Sequence, residues 1–227
     1  MVDAASSAGI KLFIPSEYGF DTRNAKIRAL LPPYQTRFEV QEKLRASGLN
    51  WAAVYSGIAL EDAMKTDGVL GIDVLWASAV VFPGSEGMRV PVSKWGDVAE
   101  RIAGVVCSDI IGNGERDKSG NEIYAASFRA TIGEIIEAIE EELDRTFDRY
   151  EGSLEGAKKE AAERMKMGYF DGGVTLMGRV AAWDSRVDAW AAWKDVEVAK
   201  KGEWRDEVKR VAKMVRDGEI GGDGCGC

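Results

Sequence analysis

The sequence predicts an α/β protein whose core is a parallel β-sheet. Residues 11–15 (KLFIP) and 50–57 (NWAAVYSG) are short apolar runs bounded by breakers, the pattern of strands buried on both faces. A helical segment, residues 34–46, lies between them with short connections. Strand–helix–strand at this spacing closes as a right-handed crossover between parallel strands. Later segments carry mostly helical periodicity, so the second half is expected to be mainly helical.

Each element has its own signal. Residues 4–8 read as the last turns of a helix that Gly9 ends. Residues 16–23, after the first strand, are expected to be loop. Pro32 and Pro33 block a helix arriving from upstream, and the next helix carries Phe38, Val40, Gln41 and Leu44 inward and stops at Gly48. Residues 58–64 predict a short helix. Residues 77–82 and 88–92 are apolar runs separated by Pro-Gly-Ser-Glu-Gly and predict a hairpin or strand–turn–strand. Residues 94–106 predict a helix with Val98, Ile102 and Val105 on one face, residues 110–120 a polar surface loop, and residues 122–127 a further strand. Thr131 and Glu134 form a capping box ahead of a helix that buries Ile132, Ile135, Ile136, Ile139 and Leu143. Residues 153–167 predict a charged helix. Trp183, Val187, Trp190 and Trp193 fall at helical spacing, and residues 204–215 predict a last helix with Val208, Val211, Ala212 and Val215 inward. Residues 216–227 form a glycine-rich tail expected to be disordered. Its Cys225 and Cys227 supply only half the ligands of a zinc site.

Composition excludes several classes of function. The 227 residues contain 30 Lys and Arg against 38 Asp and Glu, a net charge of −8, which argues against binding a nucleic-acid backbone. The absence of histidine excludes Ser-His-Asp triads and histidine proton shuttles. Acid–base chemistry therefore falls to Lys, Tyr, Asp, Glu or Cys. No apolar run approaches the roughly 20 residues that span a bilayer, so no membrane partner is expected. Three cysteines are too few for a disulfide framework, and a reducing, cytoplasmic setting is expected. Cys107 follows IAGVV and reads as a buried small residue rather than a nucleophile.

Several motifs, taken in order, carry a resemblance. The strand end Ile14-Pro15-Ser16-Glu17-Tyr18-Gly19 resembles the FIPSEFG segment of the NmrA-like, isoflavone-reductase-like family, which is of an atypical short-chain dehydrogenase type. The segment from Arg37-Phe38-Glu39-Val40 to Gly48-Leu49-Asn50-Trp51 is similar to the family's helix leading into its next strand. Tyr55-Ser56-Gly57-Ile58 resembles its post-strand loop, and Trp95-Gly96-Asp97-Val98-Ala99 a helix start. The run from Asn121 to Ser127, followed by Thr131-x-x-Glu134-Ile135, is similar to a further family motif.

The resemblance implies the C-terminal part of a Rossmann-like parallel sheet with a mainly helical substrate-binding subdomain. Residues 1–215 would be one partial NAD(P)-binding-type domain, with 1–57 the last part of the core and 58–215 mostly the substrate subdomain. It implies NADPH or NADH as cofactor and hydride transfer to a small organic substrate. Pro15, Ser16, Glu17, Tyr18 and Arg37 would touch the cofactor, and Tyr55, Ser56, Gly57 and Ile58 the substrate. A metal is not implied.

Two departures qualify this. The family's glycine-rich pyrophosphate turn has no counterpart; Gly68-Val-Leu-Gly71 and Gly112-Asn-Gly114 do not fit it. The chain is therefore expected to enter the fold partway, without the first dinucleotide-binding strands. That would leave an apolar sheet edge open to self- or partner association. Arg37 stands where the resemblance places a catalytic lysine, and arginine is a poor general base. The expected activity is that of an impaired NAD(P)H-dependent reductase; the alternative is a non-catalytic NAD(P)-sensing or protein-binding regulator.

Overall fold

In a computed structural model, which describes residues 1–65, 68–108, 121–196 and 203–220, the expected strand–helix–strand unit is present. Helix α1 (Val2–Ser7) ends before Gly9, whose φ is +64°. The first apolar run forms one parallel bridge, Phe13 to Trp51, in which the Phe13 N–H donates to the Asn50 carbonyl at 2.9 Å and the Ala52 N–H to the Phe13 carbonyl at 3.1 Å. Strand β1 (Ala53–Tyr55) continues from Trp51 and is fully buried. Its other edge pairs in parallel with β6 (Glu122–Tyr124). The segment at Phe13, β1 and β6 thus make a parallel layer, as the crossover requires.

Helix α3 (Pro32–Ser47) is the crossover, and Gly48 at φ +70° ends it. The two prolines start this helix rather than merely stopping another, because the first helical turn needs no N–H donor. A short helix, α2 (Ala25–Leu30), precedes it, beyond the loop expected at 16–23 and in a stretch given no element from sequence; the Asn24 side chain caps it by accepting the Lys26 N–H. Six residues are too few for a helical period to register in sequence.

Two small sheets complete the fold. In one, β2 (Ile58–Ala59) pairs in parallel with β5 (Val90–Ser93), which pairs antiparallel with β7 (Phe128–Ala130). In the other, β3 (Ile72–Asp73) pairs antiparallel with β4 (Ser78–Val81), which pairs in parallel with β8 (Asp148–Glu151). Of the two arrangements expected for residues 77–92, the hairpin is absent and strand–turn–strand is present. β4 and β5 are joined by the Pro-Gly turn but are claimed by different sheets, and β8, polar and exposed, had no strand signal of its own. The short helix after Gly57 is reduced to α4 (Leu60–Ala63) behind β2.

Helices α5 (Trp95–Val106), α6 (Ile132–Leu143), α7 (Leu154–Lys166) and α9 (Trp204–Arg216) lie where periodicity places them. The Thr131–Glu134 capping box is formed in full. The tryptophan series is not one helix. Helix α8 (Phe170–Trp183) stops at Trp183, and Trp190 and Trp193 follow in turns and a 3₁₀ turn at Ala191–Trp193. Tertiary contacts hold them: the Trp190 indole N–H donates to the Ala182 carbonyl at 2.9 Å and that of Trp193 to the Ala125 carbonyl at 3.0 Å. Cys107 is exposed, not buried. It lies two positions past Val105, the last inward residue of α5, and so falls on the other side of the helix. The loop expected at 110–120, with Gly112 and Gly114, and the tail cysteines Cys225 and Cys227 lie outside the described residues. Among the described residues, no helix is long and apolar enough to cross a membrane.

Candidate functional site

The first parallel strand segment and β1 end side by side, and their carboxyl ends open onto a cavity of about 420 Å³. This is where parallel α/β sheets bind ligands. The two strand ends are tied together by the Gly57 N–H, which donates to the Gly19 carbonyl at 3.1 Å. Both glycines are required by close approach. At Gly57, φ is +63° and a Cβ would sit 2.6 Å from the Pro91 carbonyl oxygen; at Gly19 a Cβ would sit 2.4 Å from the Tyr34 hydroxyl.

The cavity walls are mainly aromatic and aliphatic, with Tyr18, Phe20, Trp95 and Ile58 among them. Tyr18 and Trp95 meet edge-on with centroids 6.2 Å apart. Phe20 stacks on Trp190 at 4.9 Å, which joins the C-terminal turns to the site. The lining also holds the ion pair Lys65–Asp62, at 2.7 Å, and Thr175, and two further polar groups, Ser56 and Tyr34, stand at the strand ends. The Ser56 hydroxyl, just past β1, is buried and has no hydrogen-bond partner among the described residues. The Tyr34 hydroxyl, from the first turn of α3, accepts the Phe20 N–H at 3.2 Å, and its own proton has no acceptor among the described residues. Burial raises the Tyr34 phenol above its ordinary value, and the Arg37 guanidinium 4.6 Å from its ring centre pulls the other way.

The residues singled out from sequence divide into two groups. Tyr18, Ser56, Gly57 and Ile58 line the cavity. Tyr55 does not: its side chain is buried, and its hydroxyl accepts from Gln41 Nε2 at 2.7 Å. Burial pushes its phenol well above the ordinary value. Glu17 also turns inward. Its carboxylate accepts from the Thr22 hydroxyl and from Gln41 Nε2, the latter at 2.8 Å. Pro15 is buried behind the loop and Ser16 is exposed. Arg37 lies behind Tyr34 and donates to the Glu17 backbone carbonyl at 2.7 Å. It braces the loop and the phenol rather than lining the cavity.

Trp95, Thr175, Asp62 and Lys65 also reach the cavity, without having been named as site residues, and so does Tyr34, which the sequence offered only as a partner of Arg37. Tyr34 and Arg37 share a helix face at i, i+3, which was the available signal. Nothing local marks Thr175, which comes from α8. Among the described residues no group of three or more Cys, Asp or Glu side chains could hold a metal ion. Chemically, the site can enclose a small, largely apolar molecule and offer it phenol and hydroxyl groups, Tyr34 and Ser56 among them, beside the Asp62–Lys65 ion pair.

Comparison with known proteins agrees with the residue motifs. Over 69 residues the chain is 48% identical to "Oxidoreductase aprR" of Aspergillus flavus, a stretch of 29% of this chain and 23% of that protein. Among solved structures it is similar to leucoanthocyanidin reductase of Vitis vinifera in a binary complex with NADPH, with a TM-score of 0.67 at 14% identity over 92% of this chain and 69% of that one. It is also similar to the pinoresinol-lariciresinol and phenylcoumaran benzylic ether reductases, with a TM-score of 0.62 at 14% identity over 92% of this chain and 68% of that one. An isoflavone reductase matches with a TM-score of 0.56 at 15% identity over 91% and 68%. At such identities these structures share the fold. The NmrA-like family model matches residues 1–196, most of the chain, and that match together with the motifs and the fold makes this chain a member of the NmrA-like family.

Proposed function

We propose that the chain is an NAD(P)H-dependent reductase-like protein of the isoflavone-reductase type, and that its 420 Å³ cavity is where a small organic substrate meets the nicotinamide. One observation carries this: at the carboxyl ends of two parallel strands, an apolar enclosure holds a phenol whose proton is uncommitted among the described residues. When bound, the dinucleotide supplies a hydride. Tyr34 supplies the proton at its hydroxyl. Burial keeps the phenol protonated through neutral pH, while Arg37 beside it favours the phenolate left after transfer. Ser56 Oγ orients a polar substrate atom, since a buried hydroxyl left unpaired costs about 1–3 kcal/mol that a ligand can recover. Arg37 cannot act as the base and instead positions Tyr34 and the Glu17 carbonyl.

The residues present fit the nicotinamide end of the cofactor. Close backbone approach at Gly19 and Gly57 and the orphan Ser56 hydroxyl support that, with Ser16, Tyr18 and the Pro15–Glu17 backbone as the ribose-side wall. They do not fit the pyrophosphate: among the described residues no strand runs into a glycine-rich turn at a helix N-terminus. We therefore expect this chain to bind NADPH weakly.

A titration with NADPH, followed by tryptophan fluorescence and then by loss of NADPH absorbance with an α,β-unsaturated ketone, tests the reading. Tyr34→Phe is expected to lower turnover by about 10²-fold or more while leaving NADPH binding intact. Unchanged turnover would remove Tyr34 from the chemistry, and low-micromolar NADPH binding would overturn the argument from the missing turn. The second reading, a dinucleotide-sensing regulator without turnover, is favoured by Arg37, which stands where the family places its lysine, donates to the Glu17 carbonyl and cannot act as a base. NADPH binding with no oxidation by any enone would support it.

A further inference from the structure

Gln41 lies on the inward face of α3, where an amide is out of place, and it is completely buried. Its hydrogen-bonding groups are all in use. Nε2 donates to Glu17 Oε1 at 2.8 Å and to the Tyr55 hydroxyl at 2.7 Å, and Oε1 accepts from Arg45 at 3.1 Å. Turning the amide over would set its oxygen against the Glu17 carboxylate, so a single orientation is fixed.

Glu17 is 1% exposed. Its second carboxylate oxygen accepts from the Thr22 hydroxyl, which is also buried. One carboxylate therefore closes the loop from Glu17 to Thr22 on itself and ties that loop to α3. Between the two ends lie Tyr18, Gly19 and Phe20, which line the larger cavity. The bond from Arg37 to the Glu17 carbonyl secures the same residue through its backbone. Inside the loop the Phe20 N–H donates to the Tyr34 hydroxyl at 3.2 Å, so the place of the phenol and the shape of the loop are set together.

We propose that Glu17, Thr22 and Gln41 form a buried clamp that positions the Tyr18–Phe20 wall of the cavity and, through the Phe20 N–H, the Tyr34 phenol. This rests on the reading of Tyr34 as the proton donor. None of the three side chains lines the cavity, so they are positioning residues and not catalytic ones. The physical reason is the cost of burying a carboxylate without partners, which leaves the loop one favourable arrangement. Removing a donor makes the loop shift to find another, and Phe20 moves with it. A reacting group displaced by about 1 Å loses up to about 10²-fold in rate.

Hydrogen exchange at the Phe20 amide, with the Ile135 amide of α6 as the control for global folding, tests the clamp in the 227-residue chain. Thr22→Val removes the hydroxyl at nearly constant shape, Thr22→Ser keeps it, and Gln41→Met removes the other donor. Exchange at Phe20 is expected to quicken by at least about tenfold in Thr22→Val and Gln41→Met, and to stay near wild type in Thr22→Ser, with Ile135 unchanged in all three. Turnover of NADPH with benzalacetone should follow the same order, with kcat lower by at least about tenfold in Thr22→Val and restored in Thr22→Ser. A wild-type chain without turnover would sink the reductase reading and not the clamp; binding of benzalacetone, read from quenching of tryptophan fluorescence, then replaces kcat and should weaken in the same order. Circular dichroism checks each variant, and whichever of Thr22→Val and Gln41→Met is folded decides. Unchanged exchange at Phe20, faster exchange with kcat and benzalacetone affinity unaltered, or a Thr22→Ser variant as impaired as Thr22→Val would overturn the proposal.

Discussion

Gly57 shows how much one residue position decides in this site. Its φ of +63° and the 2.6 Å approach of a virtual Cβ to the Pro91 carbonyl leave no room for a side chain. Gly57→Ala is expected to cost about 3 kcal/mol, from left-handed strain and overpacking together. Urea denaturation would measure it, and a loss below about 0.5 kcal/mol would show that the strand end relaxes freely. At this scale sequence reasoning reaches residue types but not partners. Glu17 lies in a recognisable strand-end motif, yet its carboxylate is turned inward to Gln41, 24 positions away. Tyr55 and Ser56 are adjacent, yet one hydroxyl is spent on Gln41 and the other faces the cavity. Alternation along a strand sends neighbours to opposite faces, and only the packed structure says which face is the site.

Elements whose signal is local were legible, and α6 is the clearest. Its capping box satisfies two orphan backbone donors, and its five buried residues recur at helical spacing. Thr131→Ala is expected to destabilise the protein by about 1 kcal/mol in thermal or urea unfolding, through loss of the bond from the Glu134 N–H. Burial alone would raise the Glu134 carboxyl, but the Thr131 N–H and Arg89 hold it below its ordinary value. Its contribution is therefore present above that ordinary value and lost as pH falls through the lowered one. An unchanged Thr131→Ala midpoint would mean that packing, not capping, sets the end of α6. Elements whose signal is relational were not legible. The β4 and β5 runs look like a hairpin because a Pro-Gly turn separates them, but pairing is settled by β8, β2 and β7, which lie far away in sequence. The tryptophan spacing mimics a helix, yet Trp190 and Trp193 are placed by hydrogen bonds to Ala182 and Ala125.

Of the six tyrosines, Tyr34 and Tyr55 are buried and Tyr124 is half-buried, in or beside the junction of the parallel layer with the C-terminal turns. Burial raises all three phenols above their ordinary value near 10, and at Tyr124 the bond to Asp21 adds to it. The folded state thus holds protons that the unfolded chain releases, so stability is full below about pH 10 and falls above it. Tyrosinate absorbance from these three is expected only above pH 10, together with loss of near-ultraviolet circular dichroism. A single transition near pH 10 with the fold intact would refute this. By itself the sequence determined the α/β class, the crossover helix, the capped and amphipathic helices and the family, because these rest on periodicity, capping chemistry and motifs within a few dozen residues. Tertiary structure alone decided which strands pair, which of the motif residues reach the cavity, and that Arg37 braces Tyr34 from behind. Those outcomes depend on side chains brought together from distant positions, and local periodicity carries no record of which distant partner a strand or a hydroxyl will meet.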